Sequence, residues 1–175
     1  LKLPVNIIAP SHGVIWRTDP LQIVKKYMEW AKDYAEDRVT IIYDSMWDGT
    51  RRLAESMARG ISAHKPGWNV VIHNVARFDK NDAITDVFRS RAILVGSPTI
   101  NKGILNAVAG FLEEMKGLRF KGKKAAAFGC YGWSGESNKQ ISEALTASGF
   151  KLVDDGFKAL WQPDDAALKA AHEYG

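Results

Sequence analysis

The sequence predicts a doubly wound α/β domain: one five-stranded parallel sheet, order 2-1-3-4-5, with helices on both faces. Three observations predict it. Short β-branched or wholly apolar runs alternate with stretches whose apolar residues recur at helical spacing. Two of the runs are apolar on both faces, as strands of a sheet covered on both sides must be. The alternation fills most of the 175 residues, enough for one domain with its own core. Five strands in that pattern suit the 2-1-3-4-5 order.

The elements follow in order. Residues 1–16 read as extended, and residues 1–19 as a tail outside the domain. Thr18-Asp19-Pro20 reads as a helix start, a capping residue followed by proline in the first turn. That helix links the tail to the domain over residues 20–37, and the domain occupies 38–175. Val39–Tyr43 is strand one. The stretch 50–64 is a helix with Leu53, Met57 and Ile61 on one face. Val70–Val75 is strand two, residues 82–90 a short helix, and Ala92–Gly96 strand three. Residues 104–115 place Leu105, Val108, Phe111 and Leu112 at helical spacing. Ala125–Gly129 is strand four. Residues 136–148 form a helix ended by Gly149. A fifth strand is expected within 151–158, and a closing helix over 164–174.

Composition narrows the function classes. The net charge is +4, but Lys and Arg are scattered and their densest run, Arg119–Lys124, is short. The sequence therefore predicts a solvated basic face and no nucleic-acid site; the charge suits an acidic protein partner. No stretch approaches the roughly 20 apolar residues of a membrane span. No signal-peptide pattern opens the chain, and a single cysteine, Cys130, excludes an internal disulfide and fits a reducing, cytoplasmic setting. The opening lacks a methionine and reads as a piece of a longer chain.

In such a sheet, ligands bind beyond the carboxyl ends of the strands, where the strand order reverses. Three loops lie there. The first is Ser45-Met46-Trp47-Asp48-Gly49-Thr50, between a strand and a helix start. Its hydroxyls and free amides suit a phosphate, and the same residues would also serve a plain capped turn. The second is Ser97-Pro98-Thr99-Ile100-Asn101-Lys102-Gly103, which can offer backbone groups to the polar edge of a flat ring or be a surface turn. The third is Gly129-Cys130-Tyr131-Gly132-Trp133-Ser134-Gly135. Aromatics on a glycine-rich loop suit stacking on a planar ligand, and Tyr131 and Trp133 could instead be core side chains.

Together the three loops resemble the FMN loops of flavodoxins. Tyr43–Arg51, Ser97–Asn101 and Tyr131–Glu136 resemble more closely the flavodiiron proteins, also called A-type flavoproteins. Ile8–Gly13 and Trp16-Arg17 resemble the end of that family's metallo-β-lactamase-like di-iron domain. The resemblance implies a flavodoxin-like fold and FMN held by Ser45, Met46, Trp47, Asp48, Gly49, Thr50, Pro98, Thr99, Ile100, Asn101, Gly103, Tyr131, Gly132, Trp133, Ser134 and Gly135. It implies electron transfer from a rubredoxin-type donor to a di-iron centre that reduces dioxygen or nitric oxide. It also implies a head-to-tail dimer, in which the flavin of one subunit lies near the di-iron domain of its partner. His12 matches the family's last iron histidine. The other iron ligands have no counterpart here, so His12 would ligate iron only in a full-length protein. No residue of this chain is predicted to be catalytic by itself.

Competing readings are weaker. A free-standing flavodoxin is usually acidic, and this chain is basic. An NAD(P)H:quinone reductase-like flavoprotein shares the fold. Gly117–Lys124 nearly spells a phosphate-binding P-loop, but it ends in lysine where Ser or Thr is needed, and it precedes a strand. A receiver domain needs an aspartate after strand three, where Gly96-Ser97-Pro98 stands. Cys130, His64, His73 and His172 read as packing or surface residues.

Overall fold

A computed structural model describes residues 4–175, in two compact units, one ending at Tyr34 and the other spanning Ala35–Gly175. In the first unit, Ile8 and Trp16 pair through two antiparallel backbone hydrogen bonds of 3.1 and 2.9 Å. Helix α1 (Leu21–Trp30) follows. It is shorter than the span 20–37, because Ala31–Asp33 turns and Asp33 is left-handed, with φ 53°. The Thr18 hydroxyl does not cap it; Gln22 Nε2 instead donates to the Thr18 carbonyl at 2.9 Å.

The second unit is the predicted α/β domain. Its elements are β1 (Arg38–Tyr43), α2 (Gly49–His64), β2 (Asn69–Asn74), α3 (Lys80–Arg89), β3 (Ala92–Gly96) and α4 (Asn106–Leu118). Then come β4 (Lys124–Tyr131), α5 (Ser137–Ala147), β5 (Lys151–Leu152), β6 (Phe157–Leu160) and α6 (Asp165–Tyr174). Every strand pair is parallel, and the order is β2-β1-β3-β4-β5, as the sequence predicts.

The count of five strands needs correction. The last strand is divided: β5 pairs with Lys124–Ala125, whereas β6 pairs with Phe128–Tyr131. Between them Asp154 folds the chain outward. Its Oδ1 accepts from the Gly156 amide at 2.8 Å and from the Tyr174 hydroxyl at 2.7 Å. Gly156 has φ 86°, and a Cβ there would fall 2.4 Å from the Ala127 carbonyl oxygen. Only glycine lets the chain cross β4 so closely.

The pleat of β1 divides the core. Val39, Ile41 and Tyr43 face α2 and α6, packing with Leu53, Met57, Ile61 and Ala171. Ile42 faces the other side, with Val87 of α3, Phe111 and Met115 of α4, and Ile141 and Leu145 of α5. The fully buried ones among them, such as Ile41, Leu53, Met57, Phe111 and Ile141, each contribute about 1.5–3 kcal/mol of transfer free energy. Burial of Arg38 is compensated in part: its guanidinium pairs with Asp86, whereas its Nε lies 3.4 Å from Glu36 without making a hydrogen bond. The second oxygen of Asp86 is 2.8 Å from His73 Nε2, and Phe78 stacks on the imidazole at 4.2 Å. His73 is thus a packing residue.

Candidate functional site

β1, β3 and β4 all deliver their chains to one edge, where the loops after them enclose a cavity of about 610 Å3. That volume is typical of a cofactor site.

The first wall is the turn into α2. Asp48 occupies the position before the helix but is left-handed, with φ 61°, and caps no amide. Its carboxylate is turned to Arg51 Nε at 2.9 Å, and that hydrogen bond holds its pKa below the usual carboxylate value. Arg51 is shared with Glu55 at 2.6 Å, and both partners push its own pKa up. The first amides of α2 therefore have no side-chain acceptor. Thr50 is 1% exposed, and its Oγ1 is buried without a hydrogen-bond partner. The nearest soft group is the thiol of Cys130. Burial pushes the thiol pKa up to about 11, and its contact with the Thr50 hydroxyl acts in the opposite direction. Cys130 also explains Gly49, where a Cβ would fall 3.0 Å from its Sγ.

The second wall is the loop after β3. The Thr99 amide donates to the Cys130 carbonyl at 2.9 Å, and the Thr99 hydroxyl donates to Ser137 Oγ at 2.9 Å. Ser97 Oγ accepts from the Leu105 amide at 2.9 Å. The tip is a tight turn in which Ile100 and Gly103 exchange backbone hydrogen bonds of 3.2 and 2.7 Å. Asn101 and Lys102 both have positive φ, and Gln140 Nε2 holds the Lys102 carbonyl at 2.6 Å. These hydrogen bonds fix the backbone of a turn whose residues Ile100, Asn101 and Lys102 line the cavity.

The third wall follows β4. Trp133 is 87% exposed and Trp47 79% exposed, on opposite loops. Trp133 meets Trp161 edge-on, with ring centroids 5.2 Å apart. The Trp161 amide donates to the Tyr131 carbonyl at 2.8 Å, and Gln162 Nε2 donates to the Trp47 carbonyl at 2.6 Å. The segment after β6 thus braces two of the three predicted loops. Glu136 closes this wall. Its Oε1 accepts from Ser134 at 2.7 Å, which holds its pKa below the usual value.

Of the residues singled out from sequence, Ser45, Met46, Trp47, Gly49, Thr50, Pro98, Thr99, Ile100, Asn101, Tyr131, Gly132, Trp133 and Ser134 line the cavity. Asp48, Gly103 and Gly135 do not: Asp48 is held by Arg51, Gly103 closes the tip turn, and Gly135 is a left-handed joint before Glu136. Lys102, Cys130, Glu136, Trp161 and Gln162 line it as well. Trp161 and Gln162 were missed because they lie beyond the three strand-to-helix loops; an exposed tryptophan after the last strand was the available signal. His12 is exposed in the first unit, and among the described residues no three potential metal ligands gather.

The donor set fits FMN. An uncapped helix start and an orphaned buried hydroxyl suit a phosphate, and exposed aromatics over a rigid turn suit a flat ring. Fold and cavity therefore define a doubly wound domain built for a planar cofactor with an anionic tail. Residues 41–175 match the family model described as flavodoxin. The chain belongs to the flavodoxin family and is a flavodoxin-like FMN domain.

Its relatives are longer. The anaerobic nitric oxide reductase flavorubredoxin of Aeromonas hydrophila is 51% identical over 99% of this chain, and that of Escherichia coli K12 is 50% identical. The chain spans about a third of the length of these curated relatives (35% and 36%). Among solved structures, the rubredoxin oxygen:oxidoreductase of Desulfovibrio gigas superposes with a TM-score of 0.88 at 37% identity. The match covers 95% of this chain and 42% of that one. The flavodiiron protein of Giardia intestinalis gives a TM-score of 0.89 at 28% identity, with 97% and 42% covered. Among the described residues no helix is long and apolar enough to cross a membrane.

Proposed function

We propose that this domain carries electrons within a flavodiiron-type oxygen or nitric oxide reductase. FMN, when bound, supplies reversible uptake and release of electrons at its isoalloxazine ring. The chain's residues bind and orient it. Thr50 Oγ1, Ser45 and the amides at the start of α2 hold the phosphate. The 98–103 turn would offer its backbone groups to the polar edge of the ring, and Trp47, Tyr131 and Trp133 would cover its faces and exclude water.

In that setting electrons would arrive from a rubredoxin-type donor and leave for a di-iron site carried by the rest of the longer protein, in a head-to-tail partner. Residues 1–19 are then the end of the di-iron domain, with His12 as an iron ligand only there. Residues 20–37 form the linker to a domain spanning 38–175. The compartment is cytoplasmic. The observation that carries this reading is the buried, partnerless Thr50 hydroxyl beside an uncapped helix start, at one end of an aromatic-rimmed cavity.

The visible spectrum of the purified chain, with mass analysis of what acid releases, tests it. About one equivalent of FMN and no iron is expected. A colourless protein that stays colourless after FMN addition overturns it. A second reading, the free-standing carrier, has one observation in its favour: an archaeal flavodoxin matches over 91% of its own length, at a TM-score of 0.69 and 27% identity. Reduction of a separately purified di-iron partner domain by the FMN-loaded chain supports the flavodiiron reading. NADPH oxidation by the isolated chain would instead favour a quinone reductase-like enzyme.

A further inference from the structure

We propose that Glu136 is the side chain that recognises the flavin ring: its Oε2 accepts a hydrogen bond from the imide N–H of the isoalloxazine. The inference rests on the FMN reading above.

Glu136 lines the cavity in the loop between β4 and α5. Its two oxygens are treated differently. Oε1 accepts from the Ser134 hydroxyl at 2.7 Å, whereas Oε2 is buried with no hydrogen-bond partner. A buried, ionised oxygen without a donor is costly, so such groups are ordinarily satisfied by protein, water or ligand. The amide N–H of Glu136 itself also favours the charged carboxylate, and polar side chains of the cavity wall and its turn make bonds to other acceptors. Thr99 Oγ1 donates to Ser137, Gln162 Nε2 to the Trp47 carbonyl, and Gln140 Nε2 to the Lys102 carbonyl. Lys102 and Lys158 favour the ionised carboxylate through space. An occupant of the cavity that brings an N–H or O–H donor would satisfy Oε2.

FMN offers few donors: the hydroxyls of its ribityl chain and one N–H on its ring. An oxidised isoalloxazine carries a single ring N–H, flanked by two carbonyls, and all its other polar ring atoms are acceptors. On the ring, a carboxylate can satisfy only that N–H and repels the carbonyls. Glu136 would thus fix which end of the ring enters first, as a charge-assisted acceptor. The alternative is that Glu136 serves only the start of α5, where a negative charge is favourable in any case. A role confined to the helix start predicts no dependence on the ring N–H.

Calorimetric titration of the full chain with FMN, riboflavin and FMN methylated at the imide nitrogen separates the two. The wild type should bind the methylated flavin about tenfold or more weakly than FMN. In Glu136→Ala that gap should close to within about threefold. Glu136→Ala should also weaken FMN and riboflavin by the same factor, because the contact is to the ring and not to the phosphate. The midpoint potential of the bound flavin should rise, since a carboxylate beside the ring disfavours the electron-rich reduced form. Equal binding of FMN and its methylated form by the wild type overturns the assignment, and needs no variant to be folded. An undiminished gap in Glu136→Ala overturns it too. Failure of FMN itself to bind overturns the FMN reading, and is distinguishable because every flavin then fails alike.

Discussion

Three helices of the domain follow an aspartate, and the three aspartates behave differently. Asp79 and Asp164 are extended, and their carboxylates accept from the helix amides of Asn81 and Ala167, each at 2.8 Å. Asp48, before α2, is left-handed and turned aside to Arg51. The same residue type thus closes two helix starts and leaves a third open. The difference follows from backbone geometry: a carboxylate reaches the second and third amides only from an extended residue. Where a helix start belongs only to the fold, the chain supplies its own anion. At α2 the aspartate is paired off and the amides face a cavity, ready for an anion from outside.

The largest expected effect breaks the open end. Thr50→Val should weaken FMN by about tenfold or more, the loss of a charge-assisted hydrogen bond worth roughly 1.5–3 kcal/mol. Riboflavin, which lacks the phosphate, should be almost unaffected; equal losses in a fluorescence titration would move the phosphate away from α2. The closed ends come next. Asp79→Ala and Asp164→Ala should each cost about 1 kcal/mol of stability in urea unfolding. Asp48→Asn, which tolerates the left-handed backbone, should leave the urea midpoint of the ligand-free protein almost unchanged.

The thiol behind α2 sharpens the comparison further. A pKa raised to about 11 keeps Cys130 protonated at neutral pH. Alkylation at pH 8 should be slow in the folded chain and fast in urea, as mass spectrometry would record. The sign of the linkage follows. The group is neutral in both states below its unfolded value and costs the fold stability as pH rises from about 9 toward 11. Cys130→Ser should flatten part of that decline in urea midpoints measured across this range.

The smallest effect is long-range. Lys102 lines the cavity, and with FMN bound there its positive charge would favour the reduced flavin. Lys102→Glu should lower the second reduction potential, more at low salt than at high salt in a potentiometric titration. A potential that does not move places Lys102 outside electrostatic reach.

The sheet order and the three loops were legible because they rest on local patterns. Ala92–Gly96 is apolar on both faces, and Ser45–Thr50 puts hydroxyls before a helical period. What was not legible depends on contacts distant in sequence. At the break between β5 and β6, Tyr174 reaches Asp154, twenty residues away. The bracing of the first loop requires Gln162 to reach Trp47, 115 residues away. Asp48 was read as an ordinary site residue, because its left-handed backbone and its pairing with Arg51 leave no mark in the local pattern.

The aromatic rim has an optical consequence. Three of the six tryptophans, Trp47, Trp133 and Trp161, line one cavity. A yellow chromophore seated among them would drain their excitation by energy transfer. Ultraviolet-excited emission of the unlabelled chain therefore works as a built-in occupancy gauge: bright when the cavity holds no chromophore, dim when it is filled, and sensitive enough to follow loading in real time.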